Sequence, residues 1–401
     1  MPAPEELLRE ELKRVADAVQ PGQLRPLRAP EPGPRWRLRL FPVAAAAAVI
    51  AIAVTVASLT GPPARQLPAA APAPIPAAMP RYYLTAARTA TGLEAVVRDS
   101  ASGSVTGTVP LPDTGDAWGV SVTASAAERT FVVAAVLNTS TLPSTDWTVF
   151  FRLSVSRTGR PGPPARLNVS TNAMPLAGMA LSPDGTRLAL SFEHEGIIVG
   201  TQTYGVVQVI DLATGNTRTW TGRSSQGYWA GTPSWGTGDR TLVFPWWHIT
   251  SLTTGAAAIT GVRQLDTSAL GGNLLESRLI GFPAAVSGVR SAMITSGGRE
   301  IVAAACHDTS SPGHPRGSVT ARIIELSAAD GQLLRVLRTQ TARYTNVGEQ
   351  DYLDGGCALL STDPSGSHLL VQDFGFGRLD NGVFTALPGA SPDVTFAAAG
   401  W

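Results

Sequence analysis

A tight turn that recurs in degenerate form is the feature that most constrains the fold of this 401-residue chain. Its clearest copy is Ser182-Pro183-Asp184-Gly185, which lies between two apolar runs typical of β-strands. Weaker copies, spaced roughly 50 to 65 residues apart, lie at residues 125–129, 234–239, 295–299 and 363–367. A repeat of this length holds about four short strands, so the spacing predicts the blades of a β-propeller.

The number of turns predicts six blades in an all-β domain. Five segments have their own turn between first and second strands, whereas the N-terminal segment, residues 81–110, shows only three strands. The last nine residues, 393–401, have the pattern of an innermost strand. We therefore expect this C-terminal strand to complete the N-terminal blade and to close a six-bladed ring without exposed edges. A seven-bladed ring is the alternative.

Composition supports one large domain and argues against nucleic acid as a partner. The chain is 44% hydrophobic and only 15% charged, which suits a closed β-domain of about 300 residues. Its formal net charge of +1 provides no broad basic field for a phosphate backbone. Lys13 is the single lysine beside 30 arginines, a usage typical of a high-GC bacterium.

The N-terminal eighty residues predict a membrane anchor and a stalk. Residues 41–59 carry no charge and are long enough to cross a bilayer as a helix, so we assign 36–60 to a transmembrane anchor. Residues 61–80 are almost entirely Pro and Ala and predict an extended linker to the propeller at 81–401. The alternative for the apolar run is a cleaved export signal.

The distribution of arginines around the predicted anchor predicts that its N-terminus lies in the cytoplasm. Arg35, Arg37 and Arg39 directly precede the apolar run, and Arg65 is the only basic residue in the next twenty. The propeller then lies outside the cell as part of a single-pass membrane protein.

The segment 1–35 on the cytoplasmic side contains one predicted amphipathic helix. Leu8, Leu12, Val15 and Val19 follow the helical period, which makes residues 5–20 a candidate docking helix for a cytoplasmic protein. A helix lying on the membrane surface is the alternative interpretation.

The turn at residues 182–185, with the Thr-Arg-Leu-Ala that follows it, resembles the WD40-like repeats of bacterial TolB-like propellers. The hairpin Asp-Leu-Ala-Thr-Gly at 211–215 shares this resemblance, which covers residues 81–401 and is strongest over 176–246. It implies a fold and no single function, since such propellers include scaffolds, sensors and enzymes. The layout is also similar to that of membrane-anchored actinobacterial proteins and, loosely, of transmembrane anti-sigma regulators.

Strand order brings the two cysteines together. In a propeller, the end of a second strand and the start of the next first strand open onto the same face. Cys306 ends a second strand and Cys357 starts the first strand of the following blade. We therefore predict a disulfide between them, favoured by an oxidising exterior. The alternative is two buried thiols packed as small core residues.

The same rule gathers an aromatic cluster at one rim. Tyr228 and Trp229 start a first strand, and Trp246, Trp247 and His248 end the second strand of that blade. Such rings could stack on a sugar, a peptide or an aromatic ligand. The alternative is that Trp229 and Trp246 pack between blades, which leaves Trp247 and His248 as the exposed pair.

Charged loops on that face complete the candidate ligand-binding surface. Their spacing matches no calcium or zinc motif, so we predict solvated loop charge, no metal and no cofactor. The charges that we assign to the ligand-binding surface are Glu193, His194, Asp351 and Asp354. Glu195 and Glu349 lie in the same loops, and His307, Asp308 and His314 lie in a third loop. Binding of a cation by these groups is the alternative.

No linear catalytic signature is present, so we assign no catalytic residue. The sequence lacks a Gly-x-Ser-x-Gly elbow, a His-Glu-x-x-His helix and a phosphate-binding loop. The leading hypothesis is a membrane-anchored, extracytoplasmic module for binding, sensing or scaffolding. The alternatives are a signalling regulator whose N-terminal helix holds a cytoplasmic factor, and an extracytoplasmic hydrolase or lyase.

Overall fold

The structure, a computed structural model, describes thirteen stretches of the chain between residues 79 and 400. They are 79–125, 129–137, 148–169, 176–193, 203–224, 228–236, 239–249, 257–295, 297–308, 317–344, 357–363, 367–387 and 399–400. Within these stretches no helix has the length and apolarity needed to cross a membrane. The predicted anchor at 41–59 and the predicted helix at 5–20 lie outside them.

Six antiparallel sheets form the blades, as the spacing of the turns predicted. Blade 1 holds β1 Tyr82–Thr89, β2 Gly92–Asp99, β3 Val105–Pro110 and β26 Ala399–Gly400. Blade 2 holds β4 Ala117–Ser125, β5 Thr130–Leu137, β6 Thr148–Ser154 and β7 Ala165–Leu167. Blade 3 holds β8 Leu176–Leu181, β9 Arg187–Glu193, β10 Thr203–Asp211 and β11 Thr217–Ser224.

The remaining blades keep the same order from centre to rim. Blade 4 holds β12 Tyr228–Ala230, β13 Ser234–Trp235, β14 Thr241–Ile249, β15 Ala257–Asp266 and β17 Arg278–Gly281. Blade 5 holds β18 Val289–Ile294, β19 Glu300–Asp308, β20 Gly317–Ser327 and β21 Leu333–Tyr344. Blade 6 holds β22 Cys357–Thr362, β23 His368–Asp373, β24 Phe376–Asp380 and β25 Val383–Ala386. The short β16, Gly272–Asn273, leaves blade 4 and pairs in parallel with β11 of blade 3.

The C-terminal strand closes the ring, which confirms the six-bladed prediction. β26 pairs antiparallel with β1, with Leu84 opposite Gly400 and Thr85 opposite Ala399. Blade 1 thus takes its innermost strand from one end of the chain and its other three from the start of the domain. The alternative of seven blades is wrong.

The recurrent turn is held by its own side chains. The carboxylate of Asp184 accepts hydrogen bonds from the Ser182 hydroxyl at 2.5 Å and from the Thr186 N–H at 3.0 Å. Burial opposes ionisation of Asp184, but these hydrogen bonds outweigh it and hold the pKa of the carboxyl below its ordinary value. Gly185 has a φ of 72°, a conformation that favours glycine, so the Asp-Gly pair defines the turn.

Side-chain hydroxyls join the innermost strands of neighbouring blades. Thr123 Oγ1 accepts from the Leu181 N–H at 3.0 Å, Ser234 Oγ from the Ile294 N–H at 2.9 Å, and Ser291 Oγ from the Leu359 N–H at 2.7 Å. Between blades 3 and 4 the Trp235 indole N–H donates to the Ala180 carbonyl at 3.0 Å. Backbone groups on the inner edges, which have no further strand beside them, are partnered in this way.

The core lies between the blades. Every residue of β5 is buried, and its alternate side chains pack into two different apolar clusters. Phe150 and Phe192, for example, meet in the cluster between blades 2 and 3. Because both faces of a blade are covered, its central strands are rich in apolar residues on both sides, as β5 is.

The two faces of the ring differ in their connections. We call the face that carries the turn at 182–185 the turn face, and the opposite one the upper face. On the upper face the second strands end and the first strands begin, as at Ile249 of β14 and Tyr228 of β12. Both faces are therefore built from strand ends of all blades.

A disulfide joins blades 5 and 6 near the upper face. Cys306 of β19 and Cys357 of β22 are bonded, with their Cα atoms 6.0 Å apart. Both residues are buried beside Val319 and Ala321, and Phe374 packs against them. The bond closes a loop between residues 51 positions apart, which in the chain-entropy model stabilises the fold by about 4 kcal/mol.

Replacement of both cysteines by alanine should lower the free energy of unfolding by about 2–4 kcal/mol, because the unfolded chain regains the entropy of the open loop. Denaturant unfolding of the wild type and of the Cys306→Ala/Cys357→Ala variant measures this difference. A thiol reductant should lower the midpoint of the wild type and leave that of the variant unchanged. Equal midpoints for the oxidised wild type and the variant would contradict the stabilising role.

Candidate functional site

The central cavity serves to join the blades. It measures about 230 Å³ and is bordered by the innermost strands of blades 2 to 6. Thr123 and Ser234, whose hydroxyls border it, already bond to neighbouring blades. This volume lies below the range of about 300–1,000 Å³ found for ligand pockets. The aromatic residues that the sequence predicts as a ligand surface lie on the upper face.

A stack of four side chains runs from the upper face into blade 4. The Tyr228 ring lies between His248, at 4.6 Å and 22°, and Trp246, at 5.5 Å and 16°. Below Trp246, the Arg263 guanidinium lies 4.6 Å from the ring centroid. Tyr228 and His248 are half-buried, whereas Trp246 and Arg263 are 2% and 8% exposed. The stack thus has a fixed base and a partly open top.

Arg263 holds the base of this stack through backbone carbonyls. Its Nη1 donates to the carbonyl oxygens of Leu274, Leu275 and Ser277 at 3.4, 3.1 and 2.7 Å. Burial lowers the pKa of Arg263 from its high ordinary value, and the carbonyl dipoles compensate for the loss of water. These carbonyls follow directly after β16, so one arginine ties the aromatic stack to the segment that covers blade 3.

A second pair of rings lies on the other side of the same strands. Trp229 and Trp247 stack in parallel at 5.5 Å and 7°, and both are half-buried. Trp247 also packs against the apolar cluster between blades 4 and 5. A Cβ on Gly231 would lie 2.9 Å from the Trp247 Nε1 atom, so the backbone there fits closely under the indole. The pair is rigid and open to solvent on one side.

The pairing of strands explains this geometry. Tyr228 lies opposite His248 and Trp229 opposite Trp247, so two adjacent cross-strand pairs place rings on both faces of the sheet. The structure thus brings together the five residues that the sequence placed at this rim. Trp246 is the buried member, and Trp229 is half-buried like Trp247 and His248.

The charged residues predicted for the same surface are only partly described. Glu193 is the last residue of β9 and pairs with Gly205. His307 is exposed near the end of β19, and Asp308 ends that strand. The other predicted charges, His194, Glu195, His314, Glu349, Asp351 and Asp354, lie outside the described residues. Among the residues that the structure does describe, no group of three metal-ligating side chains is close enough to hold an ion.

Two clusters on the turn face were missed by the motif search because their members come from different strands. In the first, His368 Nδ1 lies 2.8 Å from Asp380 Oδ1, and Arg378 Nε donates to Asp380 Oδ2 at 2.5 Å. Arg378 also donates to the Ser100 carbonyl of blade 1. This His-Asp-Arg cluster thereby acts as a joint between blades 6 and 1.

The second missed cluster is a pair of carboxylates in blade 5. Glu325 is 5% exposed and accepts from Arg335 Nε at 2.7 Å, whereas Glu300 lies beside it without that ion pair. Burial raises the pKa of Glu300, and the nearby negative charge of Glu325 raises it further. Polar and apolar residues do not alternate regularly along β19 and β20, so the sequence did not predict that Glu300 and Glu325 lie side by side.

Replacement of Glu300 by glutamine should stabilise the protein at pH 7. A carboxyl whose pKa is raised in the folded state stabilises the fold at low pH, and this contribution is lost as pH rises through the folded pKa. We expect the Glu300→Gln variant to melt a few degrees above the wild type at pH 7. The difference in melting temperature should become smaller as the pH is lowered towards the ordinary glutamate pKa of about 4.3.

Thermal unfolding between pH 4 and pH 8 measures this difference. Glu276→Gln, at an exposed position in the turn after β16, is the matched control and should show no such pH-dependent gain. A Glu300→Gln variant that is less stable than the wild type at pH 7 would show that the ionised carboxylate is not destabilising.

Comparisons with known proteins identify a fold and no family. No protein-family model and no curated protein matches the chain. Similar solved structures include a protein assigned as TolB from Agrobacterium tumefaciens, with 14% identity and a TM-score of 0.36 over 67% of this chain and 84% of that one. Apo AztD from Citrobacter koseri has 11% identity and a TM-score of 0.36, over 80% of this chain and 96% of that one.

A third similar structure is the uncomplexed acylaminoacyl peptidase from Pyrococcus horikoshii. It has 11% identity and a TM-score of 0.36, over 68% of this chain and 40% of that one. Likenesses at this level carry no functional argument. The strand order of the chain itself defines its class, a six-bladed β-propeller closed by its C-terminal strand.

Proposed function

We propose that the protein is an extracytoplasmic binding module that recognises its ligand on the upper face through the aromatic cluster of blade 4. The observation that supports this most directly is the pair of ring stacks, which are rigid at the base and half-exposed at the top. Stacked rings present flat, polarisable surfaces whose ordering cost was met when the domain folded. A ligand with a flat apolar face, such as a sugar ring or an aromatic side chain, suits this surface.

The surroundings of the rings favour binding over chemistry. Trp247 contributes an indole surface and His248 a ring with two polar nitrogens at the same rim. Arg263 donates to three carbonyl groups and lies against the Trp246 ring. This arrangement fixes the rings in place and leaves their outer surfaces for contact.

Removal of the exposed rings should weaken ligand binding at least tenfold, because such aromatic anchors dominate binding energy. The full-length protein in detergent would be screened on glycan and peptide arrays, and the best array ligand titrated against the Trp247→Ala and His248→Ala variants. The Trp247→Phe variant keeps a ring and should retain part of the affinity.

Leu270→Ala provides the matched control. Leu270 is 89% exposed in the turn between β15 and β16, at the opposite end of the blade, and its removal should leave the titration unchanged. The melting temperature of each variant shows whether weaker binding comes from the missing side chain or from an unfolded domain. If both ring variants bind the array ligand as tightly as the wild type, recognition does not use this cluster.

We also propose that residues 41–59 anchor the module in the cell membrane, with the N-terminus in the cytoplasm. The uncharged run and the arginines at 35, 37 and 39 support this topology. A signalling regulator is the second candidate, favoured by the amphipathic spacing of Leu8, Leu12, Val15 and Val19. In that case residues 5–20 bind a cytoplasmic protein.

Protease added to intact spheroplasts should therefore degrade the propeller and spare an epitope tag placed at residue 1. The expected product is a short membrane-bound fragment that still carries the tag. As a control, the same protease is added after detergent has dissolved the membrane. The tag should then be cleaved, which shows that the protease can cut it when the membrane no longer protects it. A propeller that is protected in intact spheroplasts and cleaved only after lysis would place the module in the cytoplasm.

A further inference from the structure

β21 is the longest of the fourth strands, which form the outer side of each blade. It has 12 residues, whereas β3, β7, β11, β17 and β25 have 6, 3, 8, 4 and 4. The outer edge of β11 is covered by β16. In the described part of the chain, no strand pairs with the outer edge of β21. Every second residue of such an edge turns its N–H and C=O away from its single partner.

Only one end of β21 is regular enough to accept another strand. The register with β20 runs one to one from Gly317 opposite Tyr344 to Ile323 opposite Arg338. Two irregularities follow, where Leu337 and Leu334 are skipped. Bulges twist an edge away from pairing, so the accessible part is residues 339–344, which we call the β21 edge.

A groove of about 310 Å³ lies on one face of blade 5, and β21 contributes Leu333 and Val336 to it, next to the β21 edge. His307, Thr320 and Arg322 border it at one end, with Ala305, Ile324 and Val336 further along. Thr339 lies opposite Arg322 and Thr341 opposite Thr320, so alternate residues of the edge point to the side of the groove. Thr339 and Thr341 are exposed there.

The charge of this surface is positive. β21 carries Arg335, Arg338 and Arg343 and no acidic residue. Arg335 pairs with Glu325, whereas Arg343 and Arg322 are exposed on the groove side. A chain segment that adds to this edge therefore meets two cations on the face that also carries the groove.

We propose that the β21 edge binds an extended acidic peptide as a fifth strand of blade 5. Its backbone pairs with residues 339–344. The side chains on the groove side of the added strand are two carboxylates, beside Arg322 and Arg343, and one apolar residue between them that is directed towards the groove. The surface is distinct from the aromatic cluster on blade 4, and either proposal can fail without the other.

A labelled peptide of the sequence Thr-Glu-Thr-Leu-Thr-Glu-Thr tests the interaction with the full-length protein by fluorescence anisotropy. It places both carboxylates and the leucine on one side of a strand. A second peptide with N-methyl groups on alternate amides keeps every side chain and cannot pair on that edge. A third has lysine in place of both glutamates. We expect the first peptide to bind at least tenfold more tightly than either of the others.

The Arg322→Glu/Arg343→Glu variant should bind the acidic peptide at least tenfold more weakly than the wild type. Arg166→Glu, a charge reversal at an exposed position on the outer strand of blade 2, is the matched control and should bind as the wild type does. Hydrogen exchange should show the amides of residues 339–344 protected by the acidic peptide.

Three results would overturn the proposal. If the N-methylated peptide binds as tightly as the unmodified acidic peptide, no strand is added to the edge. If Arg166→Glu weakens binding as much as Arg322→Glu/Arg343→Glu does, the effect comes from the net charge of the protein and not from this edge. Concentration-dependent dimerisation of the wild type that is lost in the Arg322→Glu/Arg343→Glu variant would assign the edge to a second copy of the chain.

Discussion

Closure of the ring by β26 is the constraint on which the remaining structure depends. Each blade buries both faces against its neighbours, so an open ring would leave two large apolar faces and an incomplete blade 1 in water. In the described part of the chain, Leu84 pairs with Gly400 and Thr85 with Ala399 across this joint. The effect of this pairing is to bring the two ends of the domain into register, so that packing between blades can hold the ring.

The hydroxyl bonds between innermost strands show how the centre is completed. Thr123, Ser234 and Ser291 each accept a backbone N–H of the following blade, across sequence separations of 58, 60 and 68 residues. The blade number was predictable because the Asp184-Gly185 turn is local chemistry that can be read directly from the chain. The hydroxyl bonds were not, because they depend on how neighbouring sheets meet and leave only scattered serine and threonine residues in the sequence.

The candidate site also contains features that the sequence predicted and features that it did not. Tyr228 and His248 were expected at one rim because strand order alone decides which strand ends share a face, and the structure pairs them directly. Arg263 could not be assigned from the sequence, since its three carbonyl partners follow β16, a segment of blade 4 that crosses to blade 3. The contact between Glu300 and Glu325 could not be predicted for a related reason. The two residues are diagonal neighbours on adjacent strands, and no sequence motif marks such a pair.

The two proposed binding surfaces share one apolar cluster. Trp247, at the rim of blade 4, and Val286, which borders the groove beside β21, both pack against the residues between blades 4 and 5. Close-packed interiors transmit small displacements because they leave few voids to absorb them. A ligand that displaced Trp247 would therefore disturb the cluster that also supports Val286, and any coupling of the two surfaces would be reciprocal, with one coupling free energy for both ligands.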